Sequence, residues 1–257
     1  MNEQRNLEYF IKNGGEIFIP QLSVDCVVFG FHNNELMVLL LKMKHVPEWG
    51  LPGGFVYQQE TLETAASRIL KERTGLDNIF LRQFHTFSDP NRSNPEQAIS
   101  EVSNMGISID RSNWFAQRFI TVGFYALVDF TNVTPNPDLL SVACTWWDLG
   151  KITKLIMDHH EILIKALDAL RIQMNHQPLG YNLLPEKFTM PELQKLYETI
   201  LNKSLDRRNF QRKILSYGIL NKHEETRTGG AHKAPYLYSF DLKKYHNALH
   251  EGLKGEW

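Results

Sequence analysis

The 257-residue sequence has little cysteine and no long apolar run. Its two cysteines, Cys26 and Cys144, each lie inside an apolar segment, which indicates reduced, buried thiols and not a disulfide framework or a cysteine metal site. No segment approaches the ~18 consecutive apolar residues that span a bilayer. The first ten residues also lack the apolar core of a signal peptide. We therefore expect a cytoplasmic protein without a membrane partner.

The chain also lacks a large net charge, but its charge is unevenly distributed. The formal net charge is −1, whereas the segment from Lys187 to Trp257 holds thirteen Lys and Arg against eight Asp and Glu. A basic excess confined to the C-terminal quarter favours contact with nucleic acid in that part of the chain.

A set of glycine, acidic, basic and aliphatic residues recurs at fixed spacing between Trp49 and Leu76. Its members are Gly54, Glu60, Arg68, Leu70, Glu72, Gly75 and Leu76. This spacing resembles the Nudix box, but two positions that hold glutamate in that box hold Ile69 and Arg73 here. The resemblance implies the fold of an enzyme that cleaves nucleoside diphosphates linked to another group. Such an enzyme needs bound Mg²⁺ or Mn²⁺ for the reaction.

The two replaced glutamates argue against that chemistry in this chain. Hard divalent ions prefer several oxygen ligands, and Arg73 places a fixed positive charge where one should lie. The retained positions Gly54, Glu60, Arg68 and Glu72 then form a scaffold without a catalytic residue, a metal or a cofactor. One alternative stays open, namely a Mg²⁺-dependent ADP-ribose or nucleoside-diphosphate-sugar pyrophosphatase with a metal site rebuilt from Glu60, Glu72 and an acid outside the box.

Hydrophobic patterns predict a mixed α/β domain in the first part of the chain. The predicted strands and helices are a hairpin of 24–30 and 36–43, a helix over 61–73 ended by Gly75, strands over 79–87, 119–130 and 144–147, and a helix from Asp158 to Met174. Asp158 and Glu161 have the spacing of a capping box. His159 and His160 are interpreted as first-turn residues, because adjacent helical positions do not face each other. The polar segment from Ser88 to Ala116 is too long for an ordinary connection, which indicates a functional loop, a partner contact or partial disorder.

The last eighty residues predict a winged helix. Thr189 and Glu192 form a capping box for a helix to about Leu201, and Asp206 is a candidate N-cap for a second helix to about Tyr217. A hairpin of 219–221 and 236–240 with a cationic tip follows. We expect an α/β (α+β) protein: a Nudix-like α/β/α sandwich with a mixed sheet over residues 1–177, and a winged helix-turn-helix domain over 178–257.

The basic residues of this second domain lie where a winged helix contacts DNA. Side chains at the start of the second helix read base edges or hold phosphates, and a wing extends the phosphate contact. The DNA-binding candidates are Arg207, Arg208, Asn209, Arg212, Lys213, Arg227, His232 and Lys233. The alternative is a solvated helix face with the hairpin serving dimerisation.

Longer phrases of the C-terminal part resemble the NrtR family of transcriptional regulators. They are GYNLLP (180–185), FTMPELQKLYETIL (188–201), LDRRNFQRKIL (205–215) and GGAHKAPYLYSF (229–240). The resemblance is greatest to the arabinose-responsive, AraR-type branch of sugar metabolism. It implies a homodimer that binds a double-stranded DNA operator and releases it when a small molecule, ADP-ribose or a pentose such as arabinose, occupies the Nudix-like domain.

Fold-level analogy also suggests where this effector binds. We expect the pocket beside the Nudix loop and the strands that follow it. The ligand-binding candidates are Trp49, Glu60, His85, Asp89, Arg92 and Arg118. Each has a structural alternative, since Arg118 could pair with a surface acid and His85 could end a strand.

Overall fold

The computed structural model describes residues 2–77, 79–227 and 234–251. The chain divides into two compact units, the first comprising residues 1–29, 37–127 and 132–166, and the second comprising residues 30–36, 128–131 and 167–257. The long helix α4 (His159–His176) begins in the first unit and ends in the second. The boundary at 177/178 stays a prediction.

Within the described residues the first unit contains four α-helices, the last only in part, and seven strands, of which β1 and β2 extend by a few residues into the second unit. The helices are α1 (Asn2–Ile17), α2 (Leu62–Thr74), α3 (Pro95–Asn104) and the start of α4 (His159–His176). The strands are β1 (Phe18–His32), β2 (Glu35–Met43), β3 (Trp49–Gly50), β4 (Gly53–Tyr57), β5 (Phe80–Phe87), β6 (Ile120–Leu127) and β7 (Ser141–Asp148).

Over the described residues these seven strands form one mixed sheet, as predicted, although β3 and β4 were not among the five predicted strands. The main order is β3-β2-β1-β6-β5, with β4 also paired to β1 and β7 to β2. β1 runs parallel to β6, and Val24 lies opposite Val122. Asn33 and Asn34 join β1 to β2 with φ angles of 49° and 65°, a left-handed conformation that asparagine tolerates well. This turn confirms the predicted hairpin.

Helix α2 is capped at both ends, and Gly75 ends it as the sequence predicts. The Thr61 hydroxyl accepts a hydrogen bond from the amide of Thr64, which satisfies one free donor of the first turn. At the other end Gly75 has a φ of 73° and donates its amide to the carbonyl of Lys71. Both ends of the Nudix-box helix are thereby fixed.

The segment before β6 differs from its prediction, because much of it is helical. Asn94 caps α3 by accepting from the amide of Glu96, and Pro95 occupies the first turn. Val102 on α3 is buried against Leu7 and Ile11 of α1. Of the three interpretations of residues 88–116, partial disorder was therefore wrong for Pro95–Asn104, since the apolar faces of α1 and α3 cover each other.

The described part of the second unit forms a winged helix, which confirms that prediction. Its further elements are β8 (Phe188–Thr189), α5 (Met190–Leu201), α6 (Arg207–Ser216), β9 (Leu220–Thr226), β10 (Tyr236–Phe240) and α7 (Leu242–Glu251). The three strands pair in the order β8-β10-β9. Leu193, Leu196, Tyr197 and Ile200 of α5 are fully buried. Asn202, with a φ of 52°, ends α5 and starts the turn toward α6.

Burial of the cysteines agrees with their predicted role. Cys26 in the middle of β1 is fully buried, and burial raises the pKa of its thiol well above its usual value. Cys144 is half-buried, and burial raises the pKa of this thiol to about 11. Both are free thiols. Among the described residues, no helix has the length and apolarity needed to cross a membrane.

The capping box of α5 provides a test of this packing. Thr189 accepts from the amide of Glu192, while the Glu192 carboxylate accepts from the amide of Thr189. We expect Thr189→Ala to lower the free energy of unfolding by about 1 to 2 kcal/mol, because the cap is lost. Chemical denaturation followed by circular dichroism measures it. The exposed Ser204→Ala variant is the control, and an equal effect of the two substitutions would contradict the capping account.

Candidate functional site

A cavity of about 210 Å³ lies in the first unit beside the glycine-rich loop between β3 and β4. Its apolar wall contains aliphatic and aromatic side chains, and its polar wall contains acids, amides, one arginine and one histidine. The polar lining residues are Ser23, Asp25, Arg92, Ser93, Asn94, Gln97, Glu101, Gln117, Asp138 and His159. Such a mostly apolar cavity with a few convergent polar groups has the character of a small-molecule site.

The guanidinium of Arg92 is the centre of the polar wall, and its side chain is only 2% exposed. It binds the Asp158 carboxylate through two hydrogen bonds, Nε to Oδ2 at 2.8 Å and Nη2 to Oδ1 at 3.0 Å. Its Nη1 donates to the carbonyl of Phe119 at 3.0 Å, and its Nη2 lies 3.5 Å from Oδ2 of Asp25. A buried arginine needs this degree of pairing, because an uncompensated charge is costly in the interior.

Asp25 and His159 extend this cluster toward the glycine-rich loop. The amide of Leu51 donates to Nδ1 of His159 at 2.9 Å, and Nε2 of His159 lies 3.8 Å from Oδ1 of Asp25. Gly53 approaches Asp25 so closely that a Cβ at this position would collide with the carboxylate. A glycine is therefore required at this position for β4 to pair with β1 beside a charged residue.

The retained residues of the Nudix box hold the box together internally. Arg68 donates Nε and Nη2 to the Glu60 carboxylate at 2.7 and 2.8 Å, and Nη2 also donates to the carbonyl of Phe55. The Arg68 hydrogen bonds lower the pKa of Glu60, while Glu60 raises the pKa of Arg68. Glu60 also accepts from the amide of Tyr57, so this carboxylate fixes the loop to the helix.

The two replaced positions lie in the interior. Ile69 is 1% exposed, and its Cδ1 would be 2.9 Å from a Cβ placed on Gly54. Arg73 is also buried, with its Nη2 3.4 Å from Glu72 and 3.7 Å from Asp138. An apolar side chain and a paired cation thus occupy the positions of two glutamates.

This donor set does not fit a divalent cation. Glu60 is committed to Arg68, and Glu72 has the guanidinium groups of both Arg68 and Arg73 as neighbours. Mg²⁺ requires near-octahedral oxygen coordination, which one carboxylate between two arginines does not provide. The described residues contain no group of three or more Cys, His, Asp or Glu side chains arranged to hold a metal.

Among the six ligand candidates, only Arg92 lines the cavity as the structure describes it. Trp49 lies on β3 with its ring 5.2 Å from that of Trp147, and Glu60 is bound to Arg68. The other three, His85, Asp89 and Arg118, have exposed side chains. The structure therefore does not bring these six residues together in one site.

The helix α6 places several DNA candidates at its exposed N-terminal end. Asp206 caps the helix by accepting from the amide of Asn209 at 2.9 Å, while Phe210 fixes it to the core. Arg207, Arg208, Asn209 and Arg212 are exposed, and Lys213 is half-buried. Arg212 donates to Oδ1 of Asn209 at 3.0 Å. An exposed basic helix start is suited to contact phosphates and bases.

The structure describes only one of the three DNA-binding candidates of the wing, Arg227. Arg227 donates to the carbonyl of Lys187 at 3.1 Å and lies 3.0 Å from Glu192, so its guanidinium is bonded within its own unit. His232 and Lys233 lie outside the described residues.

Most residues of the polar cavity wall were not predicted from the sequence. Asp25 carried a signal, since a single charged residue inside the apolar run SVDCVVFGF requires a buried partner. Asp158 and His159 were assigned only to a helix start, whereas the Asp158 carboxylate binds Arg92. Ser93, Gln97, Glu101 and Asp138 gave no local signal, because the folded chain alone brings them to the cavity.

Two family models match this chain. One is described as NUDIX domain and matches residues 19–169. The other is described as NrtR DNA-binding winged helix domain and matches residues 180–240.

Two curated proteins are similar to this chain, one over most of its length and the other over about a third of it. The chain is 29% identical over 233 residues to the ADPR responsive transcriptional repressor NtrR of Acinetobacter baylyi, which covers 88% of this chain and 84% of that protein. It is 36% identical over 86 residues to the ADP-ribose pyrophosphatase of Methanocaldococcus jannaschii, which covers 32% of this chain and 48% of that protein.

Solved structures confirm the fold of both parts. Shewanella oneidensis NrtR complexed with a 27mer DNA has a TM-score of 0.71 at 24% identity, covering 92% of this chain and 99% of that chain. A MutT/nudix family protein from Enterococcus faecalis has a TM-score of 0.60 at 25% identity, covering 87% of both chains.

The Arg92 cluster is tested by removing its main partner. Asp158→Ala leaves a buried guanidinium without its bidentate carboxylate, and we expect a loss of about 3 to 5 kcal/mol in the free energy of unfolding. Urea denaturation measures the loss. Glu96→Gln, which breaks the exposed pair with Arg111, is the control and should change stability little. Equal, small effects of both substitutions would contradict a structural role for the cluster.

Restoring a box glutamate tests the interior position of Ile69. We expect Ile69→Glu to cost roughly 2 to 5 kcal/mol, the range for loss of a large buried aliphatic side chain, with the buried carboxylate adding to it. The same substitution at Ile164, which is 49% exposed on α4, is the matched control and should be tolerated. Thermal unfolding compares the two, and a stable Ile69→Glu protein would show that the position can again hold a charge.

Proposed function

We propose that this chain, which belongs to the NUDIX family and carries an NrtR-type winged helix domain after its NUDIX domain, is a DNA-binding transcriptional repressor controlled by a small molecule. The observation that carries the proposal is the pairing of a basic recognition helix with a NUDIX cavity whose box does not fit a metal. The description of the Acinetobacter baylyi relative as a transcriptional repressor supports it.

The DNA contact would be made by α6. Its exposed arginines supply positive charge at the helix end where backbone amides also attract phosphate. Arg207, Arg208, Asn209, Arg212 and Lys213 are the proposed contacts on this helix, with Arg227, His232 and Lys233 as proposed contacts of the wing. A homodimer would place two such helices on a two-fold symmetric operator.

The effector would bind in the cavity of the NUDIX domain, where Arg92 is the candidate contact from the sequence analysis. Two effectors have separate support. ADP-ribose is supported by the name of the Acinetobacter baylyi relative. A pentose such as arabinose is supported by the small cavity of about 210 Å³, below the range of about 300 to 1,000 Å³ that is usual for drug-sized ligands. Placement in the arabinose-responsive branch is part of this second proposal.

Loss of the metal site is consistent with a sensor. A sensor must keep its ligand bound, whereas hydrolysis would consume it. Ile69 and Arg73 remove two potential metal ligands while the cavity persists beside the box. The hydrolase alternative draws on the partial similarity to the Methanocaldococcus jannaschii pyrophosphatase, and it requires ligands from outside the box.

A gel-shift assay with DNA from upstream of the chain's own and neighbouring genes tests the repressor function. We expect a salt-dependent complex, because phosphate contacts release counterions. Arg208→Ala/Arg212→Ala should weaken it about tenfold or more, since each lost contact is worth about 1 to 3 kcal/mol.

The control for this assay is Arg111→Ala, which removes an exposed arginine of the NUDIX unit and should leave binding unchanged. Addition of ADP-ribose or L-arabinose should release the DNA. Undiminished binding by the double variant would refute the assignment of α6, and a complex with no promoter fragment would refute the repressor function.

A further inference from the structure

We propose that one stripe of the cavity wall, formed by Ser93, Gln97 and Glu101, binds neighbouring hydroxyl groups of a pentose ring in the effector. We call these three residues the hydroxyl stripe. The inference rests on the proposed function, because it concerns the ligand of the same cavity. A pentose ring with neighbouring hydroxyls occurs in ADP-ribose and in arabinose alike, so an effector with or without phosphate groups can contact the hydroxyl stripe.

The spacing of the three residues brings them to one side of α3. Gln97 and Glu101 lie four positions apart in the helix, which places their side chains on the same face. Ser93 is four positions before Gln97 and directly precedes Asn94, the N-cap of the helix. All three line the cavity, so the start of α3 presents a row of polar side chains to it.

Glu101 is the acid of the cavity wall whose charge is not compensated within the part of the chain that the structure describes. The other two acids of this wall have arginine partners, since Asp25 lies 3.5 Å from Nη2 of Arg92 and Asp138 lies 3.7 Å from Nη2 of Arg73. The carboxylate of Glu101 is therefore the charged acceptor of the wall that is open to a ligand.

Gln97 orients this carboxylate. Its Nε2 donates to Oε1 of Glu101 at 2.8 Å. A carboxylate accepts about four hydrogen bonds, so its remaining capacity suits two neighbouring hydroxyls of one ring. Hydrogen bonds from hydroxyls to a charged oxygen are shorter than neutral ones and roughly twice as strong, so this contact would contribute to affinity as well as to orientation.

The hydroxyl of Ser93 is buried without a bonding partner among the described residues. Its Oγ makes no hydrogen bond there, and such a buried polar group costs free energy until it is paired. A hydroxyl both donates and accepts. Because Ser93 itself lines the cavity, a change of its χ1 rotamer would bring the hydroxyl to a ligand hydroxyl.

The apolar wall of the cavity suits the remainder of such a ligand. Phe55, Phe115 and Phe119 contribute aromatic rings to this wall, and the ring centroids of Phe55 and Phe119 are 5.1 Å apart. A ligand that has both a row of hydroxyls and a less polar part therefore finds a complementary surface for each.

Capping and packing hold the hydroxyl stripe in position. The side chain of Asn94 accepts from the amide of Glu96 at 2.9 Å, which fixes the first turn of α3. Further along the helix, Val102 is buried against Leu7 and Ile11 of α1. Groups held in this way lose little freedom when a ligand binds.

Ligands that differ by one hydroxyl test the proposed contact. Isothermal titration of the full chain compares ADP-ribose with its analogues that lack the 2-hydroxyl of either ribose. It also compares L-arabinose with 2-deoxy-L-ribose, which is L-arabinose without that hydroxyl. We expect at least one parent ligand to bind about ten times more tightly than its deoxy analogue, because the charged acceptor loses a bond.

Variants of the hydroxyl stripe should reduce this difference. In Glu101→Gln the ratio of the two affinities should fall about threefold or more, since a neutral amide oxygen accepts more weakly than a carboxylate. Ser93→Ala should weaken the parent ligand by about threefold or more, since its partner hydroxyl is lost. Thermal unfolding without ligand checks that both variants are folded.

Two variants on the same helix are the controls. Glu96→Gln changes an exposed acid that pairs with Arg111, and Ser103→Ala changes an exposed serine. Neither residue lines the cavity as the structure describes it, so both variants should leave the affinity ratio unchanged. Deoxy analogues that bind as tightly as every parent, binding of none of these ligands, or equal ratios in Glu101→Gln and Glu96→Gln would overturn the proposal.

Operator binding by the same protein separates the hydroxyl stripe from the repressor function. If a parent ligand releases DNA from Glu101→Gln as readily as from the unaltered chain, the hydroxyl stripe is refuted and the repressor function stands. If the ligand preference depends on Glu101 in a protein that binds no promoter fragment, the repressor function is refuted and the hydroxyl stripe stands.

Discussion

The pairing of one buried guanidinium determines how the cavity is built. Arg92 joins the segment before α3 to Asp158 at the start of α4, to the carbonyl of Phe119 before β6 and to the neighbourhood of Asp25 on β1. Removing Asp158 would leave the guanidinium without its main counter-charge in a poorly solvated place, so these elements are constrained together. The same contacts neutralise the arginine, and this compensation leaves the cavity wall without a free positive charge among its described residues.

The charged residues of the altered Nudix box, like Arg92, have partners of opposite charge within the protein. Charges in this region are paired within the protein: Glu60 with Arg68, and Arg73 with its acidic neighbours. An enzyme would instead keep carboxylates exposed to a metal and water. The side chain of Ile69 packs against Gly54, at a position where the Nudix box has a metal-binding glutamate. The box residues thus pair and pack with one another beside the cavity, which agrees with the proposed binding role of this domain.

Local signals made much of the fold predictable. The Asn33–Asn34 turn, the caps of α2 and the capping box of α5 each depend on residues a few positions apart. The cavity was not predictable in this way, because Arg92 and Asp158 are 66 residues apart and the acid at position 158 also fits a helix cap. Helices α1 and α3 escaped prediction because each has a short apolar face that is covered by the other helix and by distant residues such as Phe115.

The central claim is that this NUDIX domain binds its ligand without cleaving it. AMP release from ADP-ribose, measured on the full chain with Mg²⁺ or Mn²⁺ while operator binding is followed in the same sample, tests it most directly. We expect a protein that binds its operator and releases no AMP above the uncatalysed rate. AMP formed at an enzymatic rate, and abolished by Glu72→Gln, would contradict it.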